Sequence, residues 1–166
     1  MRTYLLILPI LLMMVSCDKK EKQYYSLLSS ISTAAHGENL EGIDQNLVQF
    51  NKFLETNKVY EGKSFLSKTQ LSESVSFLNC VEDYKKVLAE RNKEAEIKDR
   101  WESNLKQLRT PDQRKKLEEP EKVYANIQAR IEKIDGKLKK LEVGLNRSKI
   151  SCDNAYSKIV SLSKNS

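Results

Sequence analysis

Three cysteines, Cys17, Cys80 and Cys152, and a single histidine, His36, are the side chains of this 166-residue chain best suited to bind metal, attack a carbonyl or exchange disulfides. A zinc centre needs closely spaced ligand pairs, and a nucleophile needs a base within hydrogen-bond reach. Here the thiols stand far apart, with no Cys-x-x-Cys, no His-Glu-x-x-His and no glycine-rich phosphate loop. Glu118, Glu119 and Glu121 are adjacent acids, but solvated charge beside a turn accounts for them. His36 falls where a helical pattern ends, a place that suits the negative pole of the helix dipole. The expectation is a protein with no catalytic residues, no metal, no cofactor and no small-molecule substrate: not an enzyme.

Cys17 has its own context. Arg2 precedes an apolar run from Tyr4 to Val15, and Lys19, Lys20 and Lys22 end it abruptly. This is the layout of a secretory signal, and it is too short for a bilayer core of roughly 30 Å. Met14-Val15-Ser16-Cys17 resembles the lipobox of bacterial lipoproteins, a resemblance confined to residues 1–18. It implies that residues 1–16 are cleaved. Cys17 would then begin the mature domain, 17–166, carrying a diacylglyceryl group on sulfur and an acyl chain on its amine. Two or three chains anchor stably where one would exchange. Asp18 resembles the signal that keeps such proteins on the periplasmic face of the inner membrane; the outer membrane is the alternative. A secreted protein whose cysteine merely falls at this point is the other reading.

The remaining chain reads as all-α. Charged residues make up 31% of the full sequence, aromatics 7%, and its prolines are confined to Pro9, Pro111 and Pro120. The net charge of +6 is mostly interleaved, which describes solvated helix faces rather than the clustered base and aromatic groups of a nucleic-acid reader. Spacing by three and four predicts a helix over 22–36, stopped at Gly37, and a second over 40–54. Ser67 and Gln70 form a capping box opening a helix that runs to about Leu108, with Leu71, Val75, Leu78, Val81, Tyr84 and Leu88 on its apolar face. Thr110-Pro111-Asp112-Gln113 is a second start signal. From Tyr124 the positions Ile127, Ile131, Ile134, Leu138, Leu141, Leu145, Ser148, Cys152, Ala155, Ile159 and Leu162 sustain a coiled-coil seam.

Cys80 and Cys152 lie equidistant from position 116, within the turn region between Thr110 and Pro120. An antiparallel hairpin of the two long helices brings them level, and an oxidising compartment would join them. Two buried free thiols are the alternative. The predicted architecture is a helical-bundle base, 22–88 and 145–164, with a projecting coiled-coil hairpin over about 89–144.

In that hairpin Ile131, Ile134, Leu138 and Leu141 face the charge-rich segment from Ala89 to Arg100. The stripe is expected to be left for a partner, either an envelope protein or a second copy of the chain, with Trp101 as a further anchor. Arg109, Arg114, Lys115 and Lys116 form a basic cluster at the tip, read as a solvated loop or as a contact for an acidic surface. The function expected is a membrane-anchored adaptor, assembly or exclusion factor. An immunity or inhibitor lipoprotein and a structural envelope spacer are the alternatives. In plan only, the chain resembles pilotin lipoproteins of secretion systems and the exclusion lipoproteins of conjugative plasmids.

Overall fold

The computed structural model describes residues 4–57, 59 and 65–163, with side chains from Lys19 onward. Met14, Ser16, Cys17 and Asp18, the residues of the lipobox reading, therefore lie outside the described side chains. Five helices follow in order: α1 Tyr4–His36, α2 Leu40–Thr56, α3 Lys68–Leu108, α4 Pro111–Arg114 and α5 Pro120–Ser163. No strand occurs among the described residues. The fold is all-α.

Local chemistry explains the boundaries. At the end of α1 the amide of Asn39 donates to the carbonyl of Ala34 and that of Glu38 to Ala35, the pair of bonds that closes a Schellman motif. Its left-handed position is taken by Glu38, with φ 53°, and not by the neighbouring glycine. Asn39 then turns from closing one helix to capping the next, its Oδ1 accepting from the Gly42 amide at 2.9 Å. A Cβ on Gly42 would stand 2.7 Å from Asn39 Nδ2, so the absence of a side chain there leaves room for the cap. The box at α3 is closed on both sides: Ser67 N donates to Gln70 Oε1 at 2.8 Å and Gln70 N to Ser67 Oγ at 3.1 Å. Thr110 has the extended backbone of an N-cap, but its hydroxyl donates back to the Gln107 carbonyl instead of capping α4. The second start signal therefore lacks a side-chain cap, and α4 is a single turn.

The chain divides into two units. The first comprises Met1–Glu82 with Lys149–Ser166, the second Asp83–Ser148. In the first, Tyr24, Leu28 and Ile31 of α1, Ile43, Phe50 and Leu54 of α2, Phe77 and Val81 of α3 and Ile159 of α5 are all but inaccessible. The face that α3 buries here differs from the expected one: Phe77 is 1% exposed, Val75 is 41% exposed, and the inward position one turn before Phe77 is Ser74. A hydroxyl can occupy that position because it is paired. Ser74 Oγ donates to the Gln70 carbonyl at 2.7 Å and accepts from the phenol of Tyr24, so its burial leaves no polar group unsatisfied. Gln70 closes a second link, its Nε2 donating to Tyr25 Oη at 2.9 Å. Burial raises the Tyr25 phenol above its ordinary pKa, against the opposing effect of that hydrogen bond.

Cys80 and Cys152 stand at disulfide distance within this unit, their Cα atoms 5.5 Å apart. That separation is in the middle of the range a disulfide spans, about 4.4–6.8 Å. Phe77 and Tyr156 meet beside them, ring centroids 5.5 Å apart. His36, read as a helix-terminal residue, has a specific partner: Nε2 lies 2.9 Å from Asp153 Oδ1.

Candidate functional site

The second unit is the antiparallel pairing of α3 and α5 on either side of α4. Three of its cross-helix pairs, Arg91 with Glu142, Lys98 with Asp135 and Trp101 with Arg130, lie equidistant from position 116 to within a residue. Tyr84, Leu88, Tyr124, Ile127 and Leu145 are buried. Every seam position of α5 in this unit is buried or half-buried.

The stripe of Ile131, Ile134, Leu138 and Leu141 is half-buried, not open. This corrects the expectation that a charge-rich segment would leave it bare. Arg91, Glu94 and Lys98 recur at helical spacing on the inner face of α3, with side chains 22%, 15% and 28% exposed. Long polar side chains cover apolar surface with their methylenes while the charged ends reach across. Arg91 Nε lies 3.4 Å from Glu142 Oε1, Lys98 Nζ 2.8 Å from Asp135, and Lys137 Nζ 2.7 Å from Glu94 and 2.9 Å from Glu90. The hydrogen bond to Asp135 raises the pKa of Lys98 above its ordinary value; those to Glu94 and then Glu90 do the same for Lys137.

Towards the turn aromatic groups join the contacts between the two helices. Arg130 places its guanidinium 4.9 Å above the Trp101 ring, and Arg109 lies 5.9 Å from that of Tyr124. Tyr124 Oη donates to the Leu108 carbonyl at 2.9 Å, tying α5 to the last turn of α3. One open cleft of about 330 Å³ is lined by Trp101, Asn104, Gln107, Leu108, Gln113 and Ile127. Another, of about 510 Å³, lies between Arg109, Arg114, Glu121 and Tyr124.

The four residues of the basic tip have different surroundings. Arg114 is tied to Glu121 at 2.8 Å and Arg109 covers Tyr124, while Lys115 and Lys116 are exposed. The structure thus brings Trp101 and the basic cluster to the same end of the hairpin. It adds Asn104 and Gln107, exposed polar residues that carry no signal in the sequence, and Gln113 of the second start signal. Among the described residues no group of three or more histidine, cysteine or acidic side chains is placed to hold a metal ion. Among them, too, no helix is long and apolar enough to cross a membrane. Comparison with protein-family models, curated proteins and solved structures finds no match to this chain.

Proposed function

We propose that this chain is a lipoprotein of a bacterial envelope, held to its membrane by a diacylglyceryl group on Cys17 and an acyl chain on the same residue, and that it works by binding another envelope protein through the tip of its hairpin. The observation that carries the binding role is the placement of Trp101. It lines an open cleft with Leu108 and Ile127 instead of filling a core, and the exposed Lys115 and Lys116 share that end of the hairpin. Tryptophan is among the residues most enriched at interface hot spots, and truncating a hot-spot residue costs about 2 kcal/mol or more, roughly thirtyfold in affinity. The wide-set cysteine pair suits an oxidising compartment, where such a protein would reside.

Two experiments test the two halves. Metabolic labelling with an alkyne fatty acid marks the wild type and not Cys17→Ser; a label that survives the substitution ends the lipoprotein reading. A photo-crosslinking residue at Gln113 yields one discrete adduct in intact cells, and the same residue at the exposed Val48 of α2 does not. Trp101→Ala abolishes the Gln113 adduct while the melting temperature stays within about 3 °C of wild type, about one kcal/mol. An adduct unchanged by Trp101→Ala refutes the tip as the binding site.

A further inference from the structure

In the first unit, α1 and α2 enclose a cleft of about 500 Å³ lined by Lys19, Lys20, Gln23, Leu27, Gln49, Lys52, Phe53, Thr56 and Asn57. Lys19, Gln23 and Leu27 recur every fourth residue and so share one face of α1. Gln49, Lys52, Phe53 and Thr56 do the same on α2. Because the two helices run antiparallel from the turn at Gly37–Asn39, the stretch of α1 around Lys19 and Lys20 lies beside the C-terminal end of α2. The cleft has a floor and a rim of different chemistry. Phe53 is 6% exposed and Leu27 half-buried, while Lys19, Lys20 and Lys52 are exposed. No carboxylate is among the lining residues.

Position in the chain says what such a cleft faces. Lys19 follows Cys17 by two residues, which span at most about 7 Å even when extended. A lipid on Cys17 lies in the bilayer, so these ammonium groups lie among its headgroups, where each lysine near an anionic surface contributes on the order of a kilocalorie. We infer that the cleft takes the headgroup of an anionic glycerophospholipid from that same membrane, its phosphodiester among Lys19, Lys20 and Lys52 and the first methylenes of one acyl chain over Leu27 and Phe53. The amides of Gln23 and Gln49 and the hydroxyl of Thr56 lie on the same rim, placed for the glycerol oxygens. The inference rests on the lipoprotein reading for its choice of ligand, and it adds an oriented protein to a merely tethered one. A held lipid fixes which end of the helix pair lies against the bilayer.

The test uses the full chain solubilised in dodecyl maltoside, titrated by calorimetry with dioctanoyl phosphatidylglycerol, dioctanoyl phosphatidylcholine and inorganic phosphate. Phosphatidylglycerol is expected to bind at least about tenfold more tightly than either of the others. The double variant Lys20→Glu with Lys52→Glu loses about tenfold or more of that affinity at an unchanged melting temperature, and Lys20→Arg with Lys52→Arg keeps it. Equal affinity for the two lipids overturns the inference, as does phosphate matching phosphatidylglycerol, which would make the site one for anions alone. So does a charge-reversed variant that binds normally but melts early, because the lysines would then be serving the C-terminal carbonyls of α2. The fatty-acid label on Cys17 is read on the same preparation. Selective lipid binding without a label leaves the cleft and removes the anchor; a label without selective binding leaves the anchor and removes the cleft.

Discussion

Reducing the Cys80–Cys152 pair should be the largest single perturbation short of disrupting a core. The two positions are 72 residues apart in sequence. Cross-linking a loop of that length removes chain entropy from the unfolded state worth about 4 kcal/mol at room temperature in the loop-closure account. For a chain of this size about 4 kcal/mol corresponds to a drop in melting temperature of roughly 8–16 °C. Cys152 is also buried, at 5% exposure, so replacing both cysteines by alanine adds a packing loss to the entropy loss. The two contributions separate experimentally. Urea unfolding followed by helical circular dichroism, run on the wild type with and without a phosphine reductant, keeps both sulfur atoms and removes only the bond. Reduction should account for most of the loss, and the denaturant slope should rise, because the reduced unfolded chain exposes more surface than the cross-linked one. The double alanine variant should be little affected by the reductant. Loss of less than about 1 kcal/mol on reduction, with an unchanged slope, would refute the reasoning: the thiols would then be unbonded, or the hairpin would persist in the denatured chain.

Glu38→Gly should stabilise the protein by about 1 kcal/mol, read as a higher denaturation midpoint, because the left-handed backbone there strains every residue with a Cβ except as local bonds compensate. Two glycine substitutions should differ in sign. Gly136→Ala, in the middle of α5 with open space around the added methyl, should gain up to about 1 kcal/mol of helix propensity. Gly42→Ala displaces the capping Asn39 and should gain nothing or lose stability. At high pH the ion pairs of the second unit should fail: Lys98 and Lys137 have raised folded values, so their contribution is intact below the ordinary lysine pKa of about 10.5 and is lost as pH climbs through the folded value. The wild type should accordingly lose more of its thermal stability than Lys98→Met with Lys137→Met between about pH 10 and pH 12, and parallel losses in the two proteins would dismiss the ion pairs as a source of stability.

Much of the fold was legible because it rests on period and punctuation. The α5 seam, the Ser67–Gln70 box and the end of α3 at Leu108 are local patterns, and helical geometry makes them register directly in sequence. The level placement of Cys80 and Cys152 follows from antiparallel pairing about one turn. What was illegible depended on partners distant in the chain. Ser74 looks like a surface residue until Tyr24, fifty positions earlier, supplies a phenol. On the face that holds it Phe77 is inward, and Val75 is left outward. The segment from Ala89 to Arg100 reads as solvated charge, yet Arg91, Glu94 and Lys98 face inward because Glu142, Asp135 and Lys137 answer them from α5. Charge type says little about facing when the opposite helix can neutralise it. The tip was half legible: the basic run and Trp101 stand out by composition, while the cleft beside Trp101 depends on polar residues that composition does not distinguish.

A disulfide between Cys80 and Cys152 would also change what pulling on this molecule does. The whole second unit, Asp83–Ser148, lies inside the covalent ring that the cysteine pair closes. Tension entering near the N-terminus and leaving at the C-terminus crosses at the sulfurs and never loads that unit. Tension applied at its turn divides between two helices and converges on the same bond. A protease that nicks the chain between Arg114 and Pro120 leaves the pieces covalently joined, so a partner gripping the hairpin after such a cut would still be holding the whole protein.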